Sequence, residues 1–430
     1  MKVCWFTNVP IQKACRALGT HIPATGAWLD ALGTALSARG DVELQMATAV
    51  AADRDSIIEV DGIMHRLLGI DTKHFAREMW YSPGEIARRK CRQVLDEWRP
   101  DVVHIHGTEL NYGLALSGCG LPTVISLQGL LEAYSREFCD GLSFSDILRN
   151  WTVRDLMRRD TVLDIRRLLA ARGRAVERPI LRSDAVFVGR TLYDEACVRA
   201  VNPHAVYRYG DEVMASVFYS TVRDPAKVVP HSVFTAASTD NPRKGLHCLL
   251  KAIALIKEEF PQLTVRVLGT AIRQSWRAKG YHKYLDRLIR ALALEDRIVP
   301  LGSLTSESIA AELASADVYA FPSFADNSPS SVTEAMLVGT PIAASFVGGV
   351  PSRLRDGETA LLFPAGDEIV LAECLRRLLH DRELAQRLAA NARAVALERN
   401  DPAKVAQQMI DIYRFAIDRA HGRFRGREDG

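Results

Sequence analysis

The chain has no run of about 18 apolar residues, the length a membrane-spanning helix needs, so none of its helices is expected to cross a bilayer. Its eight cysteines include no C-x-x-C pair, which speaks against a zinc site and for free thiols in a reducing, cytoplasmic compartment. Lys and Arg number 55 against 52 Asp and Glu, a net charge of +3, too near balance for nucleic acid to be the main partner. No low-complexity tract or short repeat occurs. The opening residues Met1-Lys-Val-Cys-Trp-Phe6 read as a strand rather than a signal peptide, because Pro10 and Lys13 cut the apolar run short.

What is present is a soluble globular composition, 48% apolar and 25% charged, on a chain of 430 residues, too long for one core. Strand and helix patterns alternate in both halves, which predicts an α/β protein of two domains. The first is expected over 1–220 with a final helix over 402–420, the second over 221–400, joined by a linker through Tyr219 to Pro230. The tail from Arg423 to Gly430 is polar and expected to be disordered.

The stretch from Phe321 to Pro351 concentrates the chemistry. Asp317–Phe321 is a short apolar strand, Ala325–Pro329 a polar loop, and Ser330 or Ser331 the expected cap of a helix that stops at Gly339. Pro341–Phe346 is the next buried strand, followed by Gly348-Gly349. Such a unit points backbone N–H groups and the positive end of a helix at the crevice above a sheet, which suits an anionic ligand. Asp326 and Glu334 bring two carboxylates there, groups that take paired hydrogen bonds from vicinal hydroxyls of a sugar or ribose. A second reading stands beside this one, in which Ser331-x-x-Glu334 is a capping box.

One unit earlier, Arg243-Lys244-Gly245 opens a helix beginning at Leu246. Two cations and amide groups on one spot are what a diphosphate requires. In the first half, Gly26 precedes the helix Ala27–Arg39, either as close-approach glycine or as a plain turn. An amphipathic helix Ser82–Trp98 leads to the strand Asp101-Val-Val-His104-Ile-His106-Gly107. His104 and His106 alternate, so they share a face. His104 is expected inside the sheet; His106, with Glu109, stands at the carboxyl end where open sheets bind ligands. Gln128 follows the next strand, and its amide can only hydrogen-bond. Asp53-Arg54-Asp55 spells a D-x-D triplet in the wrong context for a metal and is read as a solvated loop. From Arg149 to Arg182 ten arginines face four acids. Two readings stand: a helical pair with a solvated basic face, or a surface lying on anionic lipid.

Asp326, seven residues, then Glu334-Ala-Met-Leu-Val-Gly339-Thr-Pro341 resembles the motif of the retaining nucleotide-sugar glycosyltransferases of family 4 (group 1), with Asp where the family has its first Glu. Asp101-Val-Val-His-x-His-Gly, Lys244-Gly245 and the Gly302 region are similar to other stretches of that family; the Gly189-Arg-Thr191 stretch is like those of bacterial capsule and exopolysaccharide transferases. The resemblance implies a GT-B fold, two Rossmann-like domains facing a central cleft, with the C-terminal helix crossing back to the first. It implies a hexosyltransferase that moves a sugar from a UDP- or GDP-sugar to a glycan or polyprenyl-linked acceptor in surface polysaccharide synthesis. Asp326, Lys244, Arg243, Gln128 and His106 would be catalytic. Glu334, Ser330, Ser331, Asn327, Gly26, Glu109 and Gly302 would bind substrate: Glu334 the ribose, Gly302 the base, Ser330 and Ser331 the diphosphate through their amides. No metal or other cofactor is implied. The expected location is the cytoplasm, with peripheral contact at an anionic inner membrane face. The alternatives are an epimerase of the same fold and a binding subunit that has lost catalysis.

Overall fold

The computed structural model describes residues 1–19, 26–81, 84–269 and 278–422. Ala24, Thr25, Ser82 and the 423–430 tail lie outside the described residues. The chain forms two compact units: 1–132 with 171–215 and 399–430, and 133–170 with 216–398.

In the first unit, eight strands form one sheet. They are β1 (Lys2–Thr7), β2 (Glu43–Ala51), β3 (Ser56–Val60), β4 (Ile63–Ile70), β5 (Val102–His106), β6 (Thr123–Ser126), β7 (Val186–Gly189) and β8 (Val206–Tyr209), in the order 3-4-2-1-5-6-7-8. All neighbours are parallel except the β3–β4 hairpin at the edge. That hairpin was not expected. Asp55 beside it is no free loop acid: it accepts the Gly69 N–H at 2.7 Å and pairs with Lys90 at 2.6 Å. Strands such as Val102–His106 are buried at every position, the signature of a parallel sheet covered on both faces.

The C-terminal helix Pro402–Ala420 belongs to this unit. Its buried Val405, Met409, Tyr413 and Ala416 recur at helical spacing on one face. Trp5 Nε1 donates to the Tyr413 hydroxyl at 2.9 Å, and His104 Nδ1 lies 2.8 Å from it, so a buried polar knot ties the helix to the centre of the sheet. Ser126 Oγ, 2.7 Å from His104 Nε2, completes the set, which keeps every member satisfied out of water.

The second unit holds a six-stranded, all-parallel sheet. Its strands are β9 (Ser232–Thr235), β10 (Thr264–Val267), β11 (Ile298–Pro300), β12 (Val318–Phe321), β13 (Ile342–Ser345) and β14 (Leu361–Phe363), in the order 11-10-9-12-13-14. Counted from the first of them, this is the 3-2-1-4-5-6 order of the dinucleotide-binding fold. The order reverses between β9 and β12, and open sheets bind ligands at the carboxyl ends of the strands beside such a reversal. In the first sheet the corresponding point lies between β1 and β5.

The sequence placed 133–170 with the first half, whereas these residues pack with the second unit. The helices Phe144–Arg149 and Val153–Arg158 are held there by the helix Gly280–Ala291. Buried Asp155 accepts the Gly280 N–H at 2.6 Å, and Arg287 donates to Asn150 Oδ1 at 3.3 Å. A partner more than 120 residues away leaves no trace in local periodicity.

Candidate functional site

In the second unit the loops after β9 and β12 meet at the reversal point. Lys244 Nζ lies 2.6 Å from Asp326 Oδ2, and Arg243 Nη1 lies 3.7 Å from the same oxygen. The Arg243 guanidinium also donates to the Ala325 carbonyl and stacks 3.9 Å from the Tyr134 ring centroid. Burial pushes the Asp326 carboxyl up, but Lys244 and Arg243 outweigh it and hold the group below the usual aspartate range. Burial pulls the Lys244 ammonium down, with Asp326 opposing the shift. Side-chain exposure is 28% for Lys244 and 9% for Asp326, so the lysine is the more accessible of the two.

Two glycines make this approach possible. Gly245 adopts φ +74°, and a Cβ there would fall 1.8 Å from the Pro322 carbonyl oxygen. Gly348, at φ +47°, would put a Cβ 1.9 Å from the Asp326 carbonyl oxygen, while the Gly349 N–H donates to that same oxygen at 3.1 Å. The backbone is therefore packed against the acid's loop from both sides, and the left-handed conformations admit little but glycine. Phe324 N–H donating to Arg243 O at 2.8 Å stitches the two loops together.

The helix of the expected motif runs Ser330–Val338, but Pro329 is its N-cap and no side chain caps it. Ser330 and Ser331 are its first two residues rather than its cap. The capping-box reading of Glu334 therefore fails, since a box needs the serine at the cap position. Their amides belong to the turn whose N–H groups a helix does not itself engage. Glu334 is half-buried on that helix, and Asn327 is buried in the loop, its N–H donating to the Tyr134 hydroxyl at 3.2 Å. The base-holding expectation for Gly302 meets an obstacle: its N–H and C=O both pair with Gly269, at 3.0 and 2.9 Å.

Sequence reasoning missed two residues here. Tyr134 arrives from the segment assigned to the other half, with no motif to mark it. Arg353, buried, donates from Nε to Ser328 Oγ at 3.0 Å and from Nη1 to Thr333 Oγ1 at 2.9 Å, fixing the loop to the helix. Its place two residues after Pro351 was the available signal.

In the first unit Glu109 and His106, at the carboxyl end of β5, are held as framework. Glu109 accepts from Asn8 Nδ2 and from the Gly129 N–H, both at 2.6 Å, and burial raises its pKa. This fixes the turn bearing Gln128, which is half-buried. Gly26 stands at φ +98° as the N-cap of the helix Ala27–Ser37, and a Cβ would fall 2.7 Å from Val9 Cγ2. His106 was expected to line an open site; it is 1% exposed, packed on Trp5 and His104, with Trp28 at 5.5 Å between ring centroids. Burial, then His104 and Arg190, push its pKa well below the ordinary value, so the ring is neutral at physiological pH. Among the described residues, no group of three or more His, Cys, Asp or Glu could hold a metal ion, and no helix is long and apolar enough to cross a membrane.

The second unit thus joins paired cations, a glycine-enforced backbone approach and a helix N-terminus at the reversal point of a 3-2-1-4-5-6 sheet. Residues 224–395 match the family model of the group 1 glycosyl transferases, less than half of the chain. The phosphatidyl-myo-inositol mannosyltransferase of Mycobacterium leprae is 35% identical over 175 residues, which cover 40% of this chain and 44% of that protein. The MMP alpha-(1->4)-mannosyltransferase of Mycolicibacterium hassiacum is 33% identical over 192 residues, 44% of each chain. The chain thus spans less than half the length of these relatives. Among solved structures, sucrose-phosphate synthase from Thermosynechococcus elongatus superposes with a TM-score of 0.71 at 19% identity, covering 96% of this chain and 98% of that one. HepE of Anabaena, solved in complex with UDP-glucose, gives 0.65 at 18%, with coverage of 96% and 98%. The fold is GT-B.

Proposed function

We propose that the chain is a retaining glycosyltransferase of the family 4 type, which takes a hexose from a UDP- or GDP-sugar and gives it to a glycan or lipid-linked acceptor of a surface polysaccharide. The observation that carries this reading is the Lys244–Asp326–Arg243 cluster at the reversal point, inside the segment matched by the group 1 glycosyl transferase model. The mannosyltransferase relatives support sugar transfer, and the UDP-glucose complex of the Anabaena neighbour supports a nucleotide-sugar donor.

On this reading Lys244 and Arg243 receive the two or three charges of the departing diphosphate. Their interaction strengthens as the glycosidic bond breaks and charge collects on the leaving oxygen, which is what a catalytic contact must do. Asp326, paired with Lys244, orients the sugar hydroxyls and keeps the lysine charged. Glu334 takes the ribose hydroxyls, and the Ser330 and Ser331 amides lie at the helix end that favours phosphate. In the first unit Gln128 offers the acceptor a hydrogen bond; Gly26, Glu109 and the neutral His106 set the loops that shape its site. The chemistry asks no metal of the protein, since cations and helix end supply the positive charge.

Calorimetry with UDP and GDP tests the site directly, and Lys244→Ala tests the chemistry. Turnover of the accepted donor should fall on the order of 10²-fold or more in that variant. Activity within a few fold of the wild type would take Lys244 out of the mechanism, and binding of neither nucleotide would favour a subunit without catalysis. Incubation with donor alone separates transferase from epimerase: slow hydrolysis marks the first, an epimerised sugar the second.

A further inference from the structure

Among the described residues, the surface of the second unit around 144–159 carries large exposed apolar side chains. Phe144 is 66% exposed, Val153 75% and Met157 81%, and Leu148 and Leu156 are exposed beside them. They project from the two short helices Phe144–Arg149 and Val153–Arg158. The opposite sides of those helices are fastened inward by buried Ile147, Asn150 and Asp155. The patch therefore rides on a rigid base and is not a loosely attached loop.

Over 141–170 it is basic on balance, six arginines against four aspartates. Arg149, Arg158 and Arg159 are exposed at its border. Asp155 and Asp160 pair with Arg154, while Asp146 and Asp164 accept from the Ser143 and Thr161 hydroxyls and keep their charge. The structure thus redraws the basic stretch from 149 to 182. Arg166 donates to the Ser135 carbonyl, Arg172 to that of Glu109, and Arg178 pairs with Glu132, so these serve the fold. The outward surface begins earlier, at Phe144, where the basic stretch gave no sign of it.

We propose that this patch is a docking surface for an anionic phospholipid bilayer, with the apolar side chains entering the headgroup boundary and the three arginines meeting lipid phosphates. Aromatic and aliphatic groups beside a predominantly basic rim match such a surface in both hydrophobicity and charge. A second copy fits less well, because a two-fold contact would set the arginines of both copies against one another. The inference is independent of the donor site and stands or falls without it.

The test is co-sedimentation of the whole protein with two kinds of vesicle, phosphatidylcholine alone and phosphatidylcholine with a third replaced by phosphatidylglycerol. Strong binding to the second and weak binding to the first is expected, falling as salt is raised. Phe144→Ser with Met157→Ser should abolish binding. Arg158→Glu with Arg159→Glu should weaken it by well over tenfold, given roughly fivefold for each arginine removed. All four side chains are exposed, so melting temperatures should match the wild type. Equal binding to both vesicles, no binding to anionic ones, or indifference to either double variant overturns the proposal. So does self-association that the Phe144→Ser/Met157→Ser variant loses while vesicle binding persists.

Discussion

Replacing Asp326 by Asn removes one negative charge and almost no volume, and it should separate the two jobs assigned to the cluster. At an effective dielectric constant of about 20, a charge pair at these separations attracts with a gross energy on the order of 5 kcal/mol. Desolvation offsets most of that. Deleting one partner of a fully buried pair costs about 3–5 kcal/mol, mainly because the other charge is left unpaired. Lys244 retains 28% side-chain exposure and can rehydrate, so the expected loss is about 2 kcal/mol. In a unit of this size that lowers the melting temperature by about 4–8 °C. A diphosphate restores what was removed, because it brings negative charge to the same two cations. UDP should therefore raise the melting temperature of Asp326→Asn by more than it raises that of the wild type, while transfer from the sugar nucleotide is lost. The acid limb should change too. The Asp326 pKa is depressed in the fold, so its contribution is fully present above the ordinary carboxylate value of about 3.9 and disappears as pH falls through the folded value. Stability curves of variant and wild type should converge below that pH. Differential scanning fluorimetry with and without UDP decides the matter. A variant that melts with the wild type, or one that UDP stabilises less than the wild type, refutes the reasoning.

Glu177, buried, accepts the N–H groups of Leu131 and Glu132 at 2.6 and 3.1 Å, and burial above all, with Glu109 and Glu132 nearby, lifts its pKa to about 7. A raised carboxyl pKa means stability present below the unfolded value of about 4.3 and lost as pH rises toward 7, on the order of 3 kcal/mol; Glu177→Gln should flatten that slope in urea melts taken across the range. Gly245→Ala forces an alanine into the left-handed region and onto the Pro322 carbonyl, so it should cost about 2 kcal/mol or more and abolish UDP binding measured by calorimetry. Tyr413→Phe strips the hydroxyl from the Trp5 N–H and His104, and urea unfolding should report a loss of about 1–3 kcal/mol; an unchanged midpoint would dissolve the knot.

The strand–helix alternation was readable because parallel strands buried on both faces are near-continuous apolar runs, and the helix stop at Gly339 was readable because a left-handed end favours glycine. The motif loops were found by the company they keep: Lys-Gly before one helix, an acid before the next. Other features were opaque. The β3–β4 hairpin is short and partly exposed, with little pattern to betray it. The serines near 330 look like caps by composition, and only backbone geometry hands the cap to Pro329. His106 sits at a strand end, as expected, but its exposure depends on Trp5 and Trp28, which local sequence does not bring near it.

What the order of residues determined unaided was local: which segments extend, which coil, and where the turns fall, since backbone dihedrals and apolar periodicity act over a few neighbours. What only the folded chain decided was who meets whom. Asp326 reaches Lys244 across 82 positions, Tyr134 reaches Asn327 across 193, and 133–170 leaves the half it was written in. Those choices rest on strand order and on long-range burial of polar groups, where one hydrogen bond to a distant helix outweighs nearness along the sequence.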